Sequence, residues 1–244
     1  MSNGEPFMVF SGGEYLILYK PPLMHSAPLK QGEGGTLSDW CAERFPRFLC
    51  VRGRKAVEGG LLHRLDYETR GLVFAALSQR VMDAMLRQQV EGLFIKEYEA
   101  VAGGREAALA GFPPPPAFDM ETAASGAFSF VSGFRYYGTG RKSVRPAPLN
   151  GAKVHVSKVQ TYRTEITGME SISETQNLWR VRLRLYRGFR HQIRCHLAWV
   201  GLPILGDVLY GGQKSASPFE LCAVRLSFID PVSGIPRSVC YDGA

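Results

Sequence analysis

The chain carries one decapeptide between two apolar segments, and it reads His63-Arg64-Leu65-Asp66-Tyr67-Glu68-Thr69-Arg70-Gly71-Leu72. Leu61-Leu62 leads into it, and the apolar run 72–77 leads out of it. That run is typical of a buried strand, and Gly71 suits a sharp backbone turn just before it. A loop that the core fixes at both ends is where a scaffold commonly carries its chemistry. The stretch therefore predicts a functional loop with Asp66 as its candidate acid.

The spacing within this loop is more informative than the acid alone. A lone Asp near an Arg more often forms a turn or an ion pair than a catalytic site. The longer pattern H-R-L-D-x-x-T-x-G-L is specific, because its residues stand at fixed positions. It resembles the signature loop of the RluA-type pseudouridine synthases, and this resemblance implies that Asp66 is the catalytic residue. The family usually has Ser where this chain has Arg70.

A second family signature lies nearer the C-terminus. It is H-Q-I-R-x-H followed by G-x-P-I-x-G-D-x-x-Y-G, and it stands here at 191–196 and 201–211. The resemblance maps Arg194 to the arginine that pairs with the catalytic Asp. Just before this signature the family commonly has Gly-Arg-Thr-His, whereas this chain has Gly188-Phe189-Arg190-His191. The basic residue is shifted by one position, which bears on substrate preference more than on chemistry.

Weaker matches complete the predicted site. Period-two geometry puts Lys96 and Tyr98 on one face of a strand over 93–101. The resemblance places Tyr98 in the active site. The alternative is that Tyr98 is an ordinary half-buried aromatic residue of the sheet. Leu221 matches an apolar residue near the target base, and ordinary core is an equally good interpretation. Cys222 replaces a usual His. Arg64 resembles the arginine that fills the place of the flipped uridine. The other predicted substrate-binding residues are His63, Thr69, Arg190, His191 and Gln192.

Metal and redox chemistry find little support in the sequence. His191, Cys195 and His196 suggest a zinc site, but no second ligand cluster lies nearby in sequence. The five cysteines are odd in number and lack C-x-x-C spacing, so reduced thiols are expected. The sequence contains neither a Gly-rich dinucleotide loop nor a phosphate-binding P-loop. We therefore expect no metal and no cofactor.

Hydrophobic periodicity and the resemblance together predict the fold. Strands are expected at 14–20, 71–77, 93–101, 179–186 and 221–228, and helices at 36–45, 78–92 and 190–200. The resemblance implies the α/β (α+β) pseudouridine synthase fold: a mixed, largely antiparallel sheet in two halves, flanking helices and a central basic cleft. We expect an N-terminal tail over 1–13 and a catalytic domain over 14–240. A Pro-rich insertion is expected at about 103–126, and no S4 domain is expected, because the family pattern begins by about residue 14.

Charge indicates a polyanionic partner. The net charge is +7, and the stretches 134–163 and 179–194 contain basic residues and no acid. A solvated charged surface is the alternative for either stretch. Residues 134–163 are expected to form a mobile loop that faces RNA. The sequence has no signal peptide pattern and no apolar run long enough to span a membrane, so cytoplasmic residence is expected. We also expect the protein to be a monomer.

Two function classes remain open beside a third that is disfavoured. The resemblance implies an RNA pseudouridine synthase that acts on structured ribosomal or transfer RNA. The alternative is a catalytically impaired RNA-binding or assembly factor of the same fold, which the departures at Arg70, Phe189 and Cys222 motivate. A two-carboxylate glycosidase is disfavoured, because the sequence marks no second acid and the predicted cleft is basic.

Overall fold

The structure is a computed structural model of the chain, and it describes residues 4–30, 33–104, 109–126, 128–147, 160–173, 175, 177–213, 219–241 and 243. The strands are β1 (Phe7–Ser11), β2 (Tyr15–Lys20), β3 (Arg70–Ala76), β4 (Ile95–Gly103), β5 (Phe128–Tyr137), β6 (Ser143–Ala147), β7 (Tyr162–Ser173), β8 (Leu178–Leu185), β9 (Leu221–Ile229) and β10 (Pro236–Cys240). The α-helices are α1 (Leu37–Arg44), α2 (Gln79–Glu91), α3 (Met120–Ala124) and α4 (Gln192–Trp199).

The chain divides into two compact units. Unit 1 comprises Met1–Glu97 and Cys222–Ala244, and unit 2 comprises Tyr98–Leu221. The Pro-rich stretch 103–126 lies within unit 2, and its residues 105–108 lie outside the described part of the chain. No helix among the described residues is long and apolar enough to cross a membrane.

Unit 1 contains a sheet in the order β1-β2-β3-β9-β10. Its pairs are antiparallel except for β3 with β9, which is parallel. Strand β2 is buried along its whole length, as its apolar sequence predicts. Tyr15 stacks on Phe74 with ring centroids 5.0 Å apart, and the Phe228 ring meets the Phe74 ring edge-on at 5.4 Å. Aromatic packing across the sheet therefore forms much of this core.

The helices of unit 1 begin and end where the sequence predicted. Thr36 caps α1, and a reciprocal hydrogen bond from the Thr36 backbone N–H to the Asp39 carboxylate completes a capping box. The Ser78 side chain accepts a hydrogen bond from the Val81 N–H at the start of α2, and Gly92 ends that helix with a φ of +77°. Strand β1 was not predicted; it lies within the expected tail and pairs with β2.

Unit 2 contains strands in the order β4-β8-β7-β5-β6. The prediction of a mobile loop over 134–163 is wrong for residues 134–147, because β5 and β6 form an antiparallel hairpin there. Lys153 and Lys158, which belong to the same basic stretch, lie outside the described residues. Burial alternates along β8 as predicted.

The start of α4 differs from the sequence prediction by two residues. His191 adopts a left-handed backbone with a φ of +54°, and the helix begins at Gln192. Arg190 belongs to the predicted helix 190–200, but it lies before the observed helix. A positive φ interrupts helical geometry, and hydrophobic spacing does not reveal it.

Candidate active site

The loop that carries Asp66 is tied down on both sides of that residue. The Leu65 carbonyl accepts a hydrogen bond from the Ser26 hydroxyl (2.9 Å), and the Leu65 N–H donates one back to the same oxygen (3.0 Å). The Tyr67 carbonyl accepts a hydrogen bond from the Met24 N–H (3.2 Å). Asp66 itself is partly exposed. A carboxylate between two fixed neighbours has little freedom to lose when it meets a ligand.

A buried lysine supports the same loop. Lys20 is fully buried, and burial lowers its pKa to about 7, against the attraction of Asp66 and Glu68. Because electrostatic attraction acts on both partners, a cation at Lys20 also favours a negative charge at Asp66. The Lys20 Nζ donates hydrogen bonds to the carbonyls of Pro21 (2.8 Å), Met24 (2.7 Å) and Tyr67 (3.3 Å).

The end of the loop passes very close to β9. Gly71 has a φ of +115°, and a Cβ at this position would lie 2.3 Å from the Ala223 carbonyl oxygen. Only glycine fits this approach. The parallel pairing places Arg70 opposite Cys222. Two of the three departures from the family pattern are thus neighbours across the strands β3 and β9.

His63 is a neutral, partly exposed side chain at the start of the loop. Its Nε2 accepts a hydrogen bond from the Phe74 N–H (3.3 Å), so the ring proton resides on Nδ1. The Nδ1 atom is buried and has no hydrogen-bond partner among the described residues. Burial, together with the cations Lys96 and Arg54, holds the His63 pKa well below its ordinary value.

Two further loop residues differ strongly in exposure. The Arg64 guanidinium is half-exposed and lies 3.2 Å from the carboxylate of buried Glu58. Thr69 is buried, and its N–H donates to the Asp66 carbonyl (3.2 Å), which closes the turn of the loop. On the surface of unit 1, the Arg64 side chain is therefore accessible to a ligand. Thr69 instead stabilises the backbone turn of the loop.

Arg194 forms a buried bidentate ion pair in unit 2. Its Nε and Nη2 donate to the two carboxylate oxygens of Asp207 at 2.7 and 2.8 Å. The exposed fractions of the two side chains are 3% and 0%. Such a pair fixes the plane of the guanidinium. Asp207 belongs to the second signature, but its role was missed in the sequence. Asp66 lies in unit 1, and its pairing with Arg194 stays a prediction.

The residues around the start of α4 are largely engaged by the protein. The Gln192 amide accepts a hydrogen bond from the Phe189 N–H and donates to the Thr164 hydroxyl, both at 2.9 Å. The His191 Nδ1 lies 3.1 Å from the Tyr210 hydroxyl. These bonds hold the turn before α4. Of the other predicted site residues in unit 2, Arg190 is exposed, and Tyr98 and Leu221 are buried.

Both ring nitrogens of His196, a residue of the suggested zinc site, lie within hydrogen-bond distance of protein hydroxyls. Its Nδ1 lies 2.8 Å from the Thr164 hydroxyl and its Nε2 lies 3.0 Å from the Ser132 hydroxyl. Burial lowers the His196 pKa to about 3, so the ring stays neutral. Burial also raises the pKa of the Cys195 thiol. Among the described residues, no cluster of three or more His, Cys, Asp or Glu side chains is arranged to hold a metal ion.

The basic face of β8 is partly neutralised by acids from neighbouring strands. Arg180 and Arg182 each lie 3.7 Å from the Glu170 carboxylate of β7. Arg182 also lies 3.7 Å from the Glu99 carboxylate of β4. The absence of acids within the stretch 179–194 therefore does not mean an excess of charge at this surface. It reflects a sheet whose paired strands carry opposite charges.

Comparison with known proteins identifies the class. The family described as RNA pseudouridylate synthase matches residues 14–199. The chain belongs to this family. Among its relatives is an uncharacterized RNA pseudouridine synthase, YhcT of Bacillus subtilis, which is 29% identical over 94% of this chain and 66% of its own length. Ribosomal large subunit pseudouridine synthase D of Vibrio parahaemolyticus is 26% identical over 93% of this chain and 64% of its own length.

Solved structures agree with the fold. Human RNA pseudouridylate synthase domain containing 1 superposes with a TM-score of 0.67 at 19% identity, over 99% of this chain and 84% of that chain. Human RNA pseudouridylate synthase domain containing 4 gives a TM-score of 0.66 at 17% identity, over 96% of this chain and 87% of that chain. The predicted pseudouridine synthase fold is confirmed. The chain spans about two thirds of the length of the two curated relatives.

Proposed function

We propose that this chain is an RNA pseudouridine synthase that isomerises specific uridines, with Asp66 as its catalytic carboxylate. Family membership and the anchored signature loop support this proposal. The reaction breaks the bond from C1′ to N1, turns the uracil and joins C5 to C1′. It involves no net oxidation and no hydrolysis, so we infer that it needs no cofactor.

We assign one role to each of the main site residues. Asp66 attacks C1′ or removes the C2′ proton, and both routes use one ionised carboxylate against the sugar. Arg194 keeps that carboxylate ionised and oriented. Tyr98 lies against the base and assists proton transfer at C5. Arg64 takes the place that the target uridine leaves when it flips out of its stack.

We infer that the substrate is structured ribosomal or transfer RNA and that the protein acts as a cytoplasmic monomer. The name of the Vibrio relative, a ribosomal large subunit pseudouridine synthase, supports a ribosomal target. The net charge of +7 supports a polyanionic substrate. Arg190, His191 and Gln192 are proposed to border the substrate, and the turn that they form is held by the contacts of Gln192.

One observation carries the proposal: Asp66 is a partly exposed carboxylate whose two neighbours are hydrogen-bonded to the body of unit 1. The test is tritium release from RNA that contains 5-tritiated uridine. We expect Asp66→Asn to lower release by at least about a thousandfold, since it removes the reacting group. Glu68→Gln removes the same charge from the same loop, and we expect it to retain most activity.

The outcomes separate enzyme from binding factor. Release by Asp66→Asn at the wild-type rate contradicts the catalytic assignment. RNA binding without release by the wild-type protein supports the assembly factor instead. The observation that favours the assembly factor as a second candidate is the pairing of Arg70 with Cys222, because both residues depart from the family pattern.

A further inference from the structure

We propose that the tip of the β5–β6 hairpin is an RNA-contact surface. In this inference Tyr136 stacks on an unpaired base, and the cations Arg141, Lys142 and Arg190 bind flanking phosphates. It rests on the proposed function, because it assumes that the chain acts on RNA. The surface lies entirely in unit 2, and no residue of the hairpin belongs to the family signatures.

The hairpin tip has a defined turn. Gly138 and Gly140 have φ values of +79° and +69°, and Arg141 between the strands has a φ of +53°. The Arg141 N–H donates to the Gly138 carbonyl (3.1 Å), and the Ser143 hydroxyl donates to the Tyr137 carbonyl (3.2 Å). These bonds hold in place the backbone that carries the basic side chains of the tip.

The residues that depart from the family pattern just before the second signature hold this hairpin in place. Phe189 stacks on Phe134 of β5 with ring centroids 4.9 Å apart and planes within 3°. Arg190 donates to the carbonyls of Arg141 (3.4 Å) and Lys142 (3.1 Å). The departure at 189–190 therefore has a consequence: it fixes the hairpin and adds a third cation to its tip.

The charge of the tip is uncompensated. Residues 128–147 contain no acid, and Arg141, Lys142 and Arg190 are all exposed. In the described parts of the chain, no carboxylate lies within ion-pair distance of these three side chains. The arginines of β8 contrast with them, because Glu170 and Glu99 lie beside those. Uncompensated cations on an exposed turn attract a polyanion.

Tyr136 supplies the aromatic face that base stacking requires. Its exposed fraction is 51%, which is high for a large aromatic side chain. The Arg141 guanidinium carbon lies 5.9 Å from the centre of the Tyr136 ring. An exposed ring flanked by cations is the arrangement with which proteins bind unpaired nucleotides, through stacking and phosphate contacts together.

The test separates stacking from charge. Binding is measured by fluorescence anisotropy with a labelled RNA stem that carries a uridine-rich loop, and with the blunt duplex of the same stem. We expect Tyr136→Ala to weaken binding of the looped RNA roughly 5- to 150-fold and to leave duplex binding unchanged. Tyr136→Phe keeps the ring and is expected to bind like the wild type.

The charge arm uses two matched double variants. Arg141→Gln/Lys142→Gln is expected to reduce the slope of log K against log salt by roughly one to two. Lys30→Gln/Arg87→Gln removes the same charge from exposed positions of unit 1 and is expected to change the slope far less. Equal slopes for the two double variants overturn the phosphate contacts. Full looped-RNA binding by Tyr136→Ala overturns the stacking.

Tritium release by the wild-type protein is measured in parallel. Release together with unaltered binding by every hairpin variant overturns this inference alone. Absence of release overturns the proposed function, whereas the binding measurements still decide whether the hairpin contacts RNA.

Discussion

Replacement of Asp207 by Asn is expected to lower the free energy of unfolding by about 3–5 kcal/mol. The Asp207 carboxylate accepts two short hydrogen bonds from Arg194, and the side chains are 0% and 3% exposed. Each charge-assisted hydrogen bond contributes about 1.5–3 kcal/mol. The neutral amide offers one acceptor oxygen in place of two, and the substitution removes the negative charge that accepts these two bonds from the buried Arg194 guanidinium. The cost therefore exceeds that of one lost neutral hydrogen bond.

The assay is urea and thermal unfolding followed by circular dichroism. For a chain of this length, each kcal/mol lowers the Tm by about 2–4 °C, so the variant is expected to unfold roughly 6–20 °C below the wild type. The control is Glu170→Gln, which removes an acid whose side chain is 58% exposed and lies 3.7 Å from Arg180. That change is expected to cost less than about 1 kcal/mol.

Asp207→Asn also tests whether the ion pair between Asp207 and Arg194 contributes to activity. Because Asp207 fixes the guanidinium plane of Arg194, Asp207→Asn is also expected to slow tritium release at temperatures at which the variant remains folded. Equal destabilisation by Asp207→Asn and Glu170→Gln refutes the reasoning, since it means that the buried pair contributes no more than an exposed one.

Two other changes test local features of the fold. Gly71→Ala is expected to lower the free energy of unfolding by at least about 1–3 kcal/mol, because the new methyl group meets the Ala223 backbone and residue 71 has a φ of +115°. The control is Gly34→Ala, because a Cβ at that position meets no other atom. Equal free energies of unfolding for the two variants contradict the close approach. The His196 pKa is about 3 in the folded protein, whereas its ordinary value is 6.5. Between these two pH values only the unfolded chain takes up the proton, so the free energy of unfolding falls as the pH falls from 6.5 towards 3. His196→Gln is expected to show a shallower loss of unfolding free energy over this range by urea titration, and an unchanged slope excludes the assignment.

Local patterns in the sequence determined the ends of α1 and α2 and the alternating faces of β8. Thr36 and Ser78 are capping residues whose effect depends on the next three positions, and Gly92 ends α2 through its own backbone freedom. The alternation of apolar and basic residues in β8 follows from the period of a strand. Such features need no knowledge of distant residues, and the family signatures add the fold by resemblance.

Tertiary structure alone decided which distant residues meet. Arg194 pairs with Asp207, thirteen positions on, and Arg180 and Arg182 meet acids from neighbouring strands. The hairpin at 128–147 was missed, because strand pairing depends on the cross-strand neighbour more than on local preference. The left-handed backbone at His191 was missed as well, since packing around the turn imposes it. The sequence predicted the chemical groups of the candidate site, whereas long-range packing determined the partners and the exposure of these side chains.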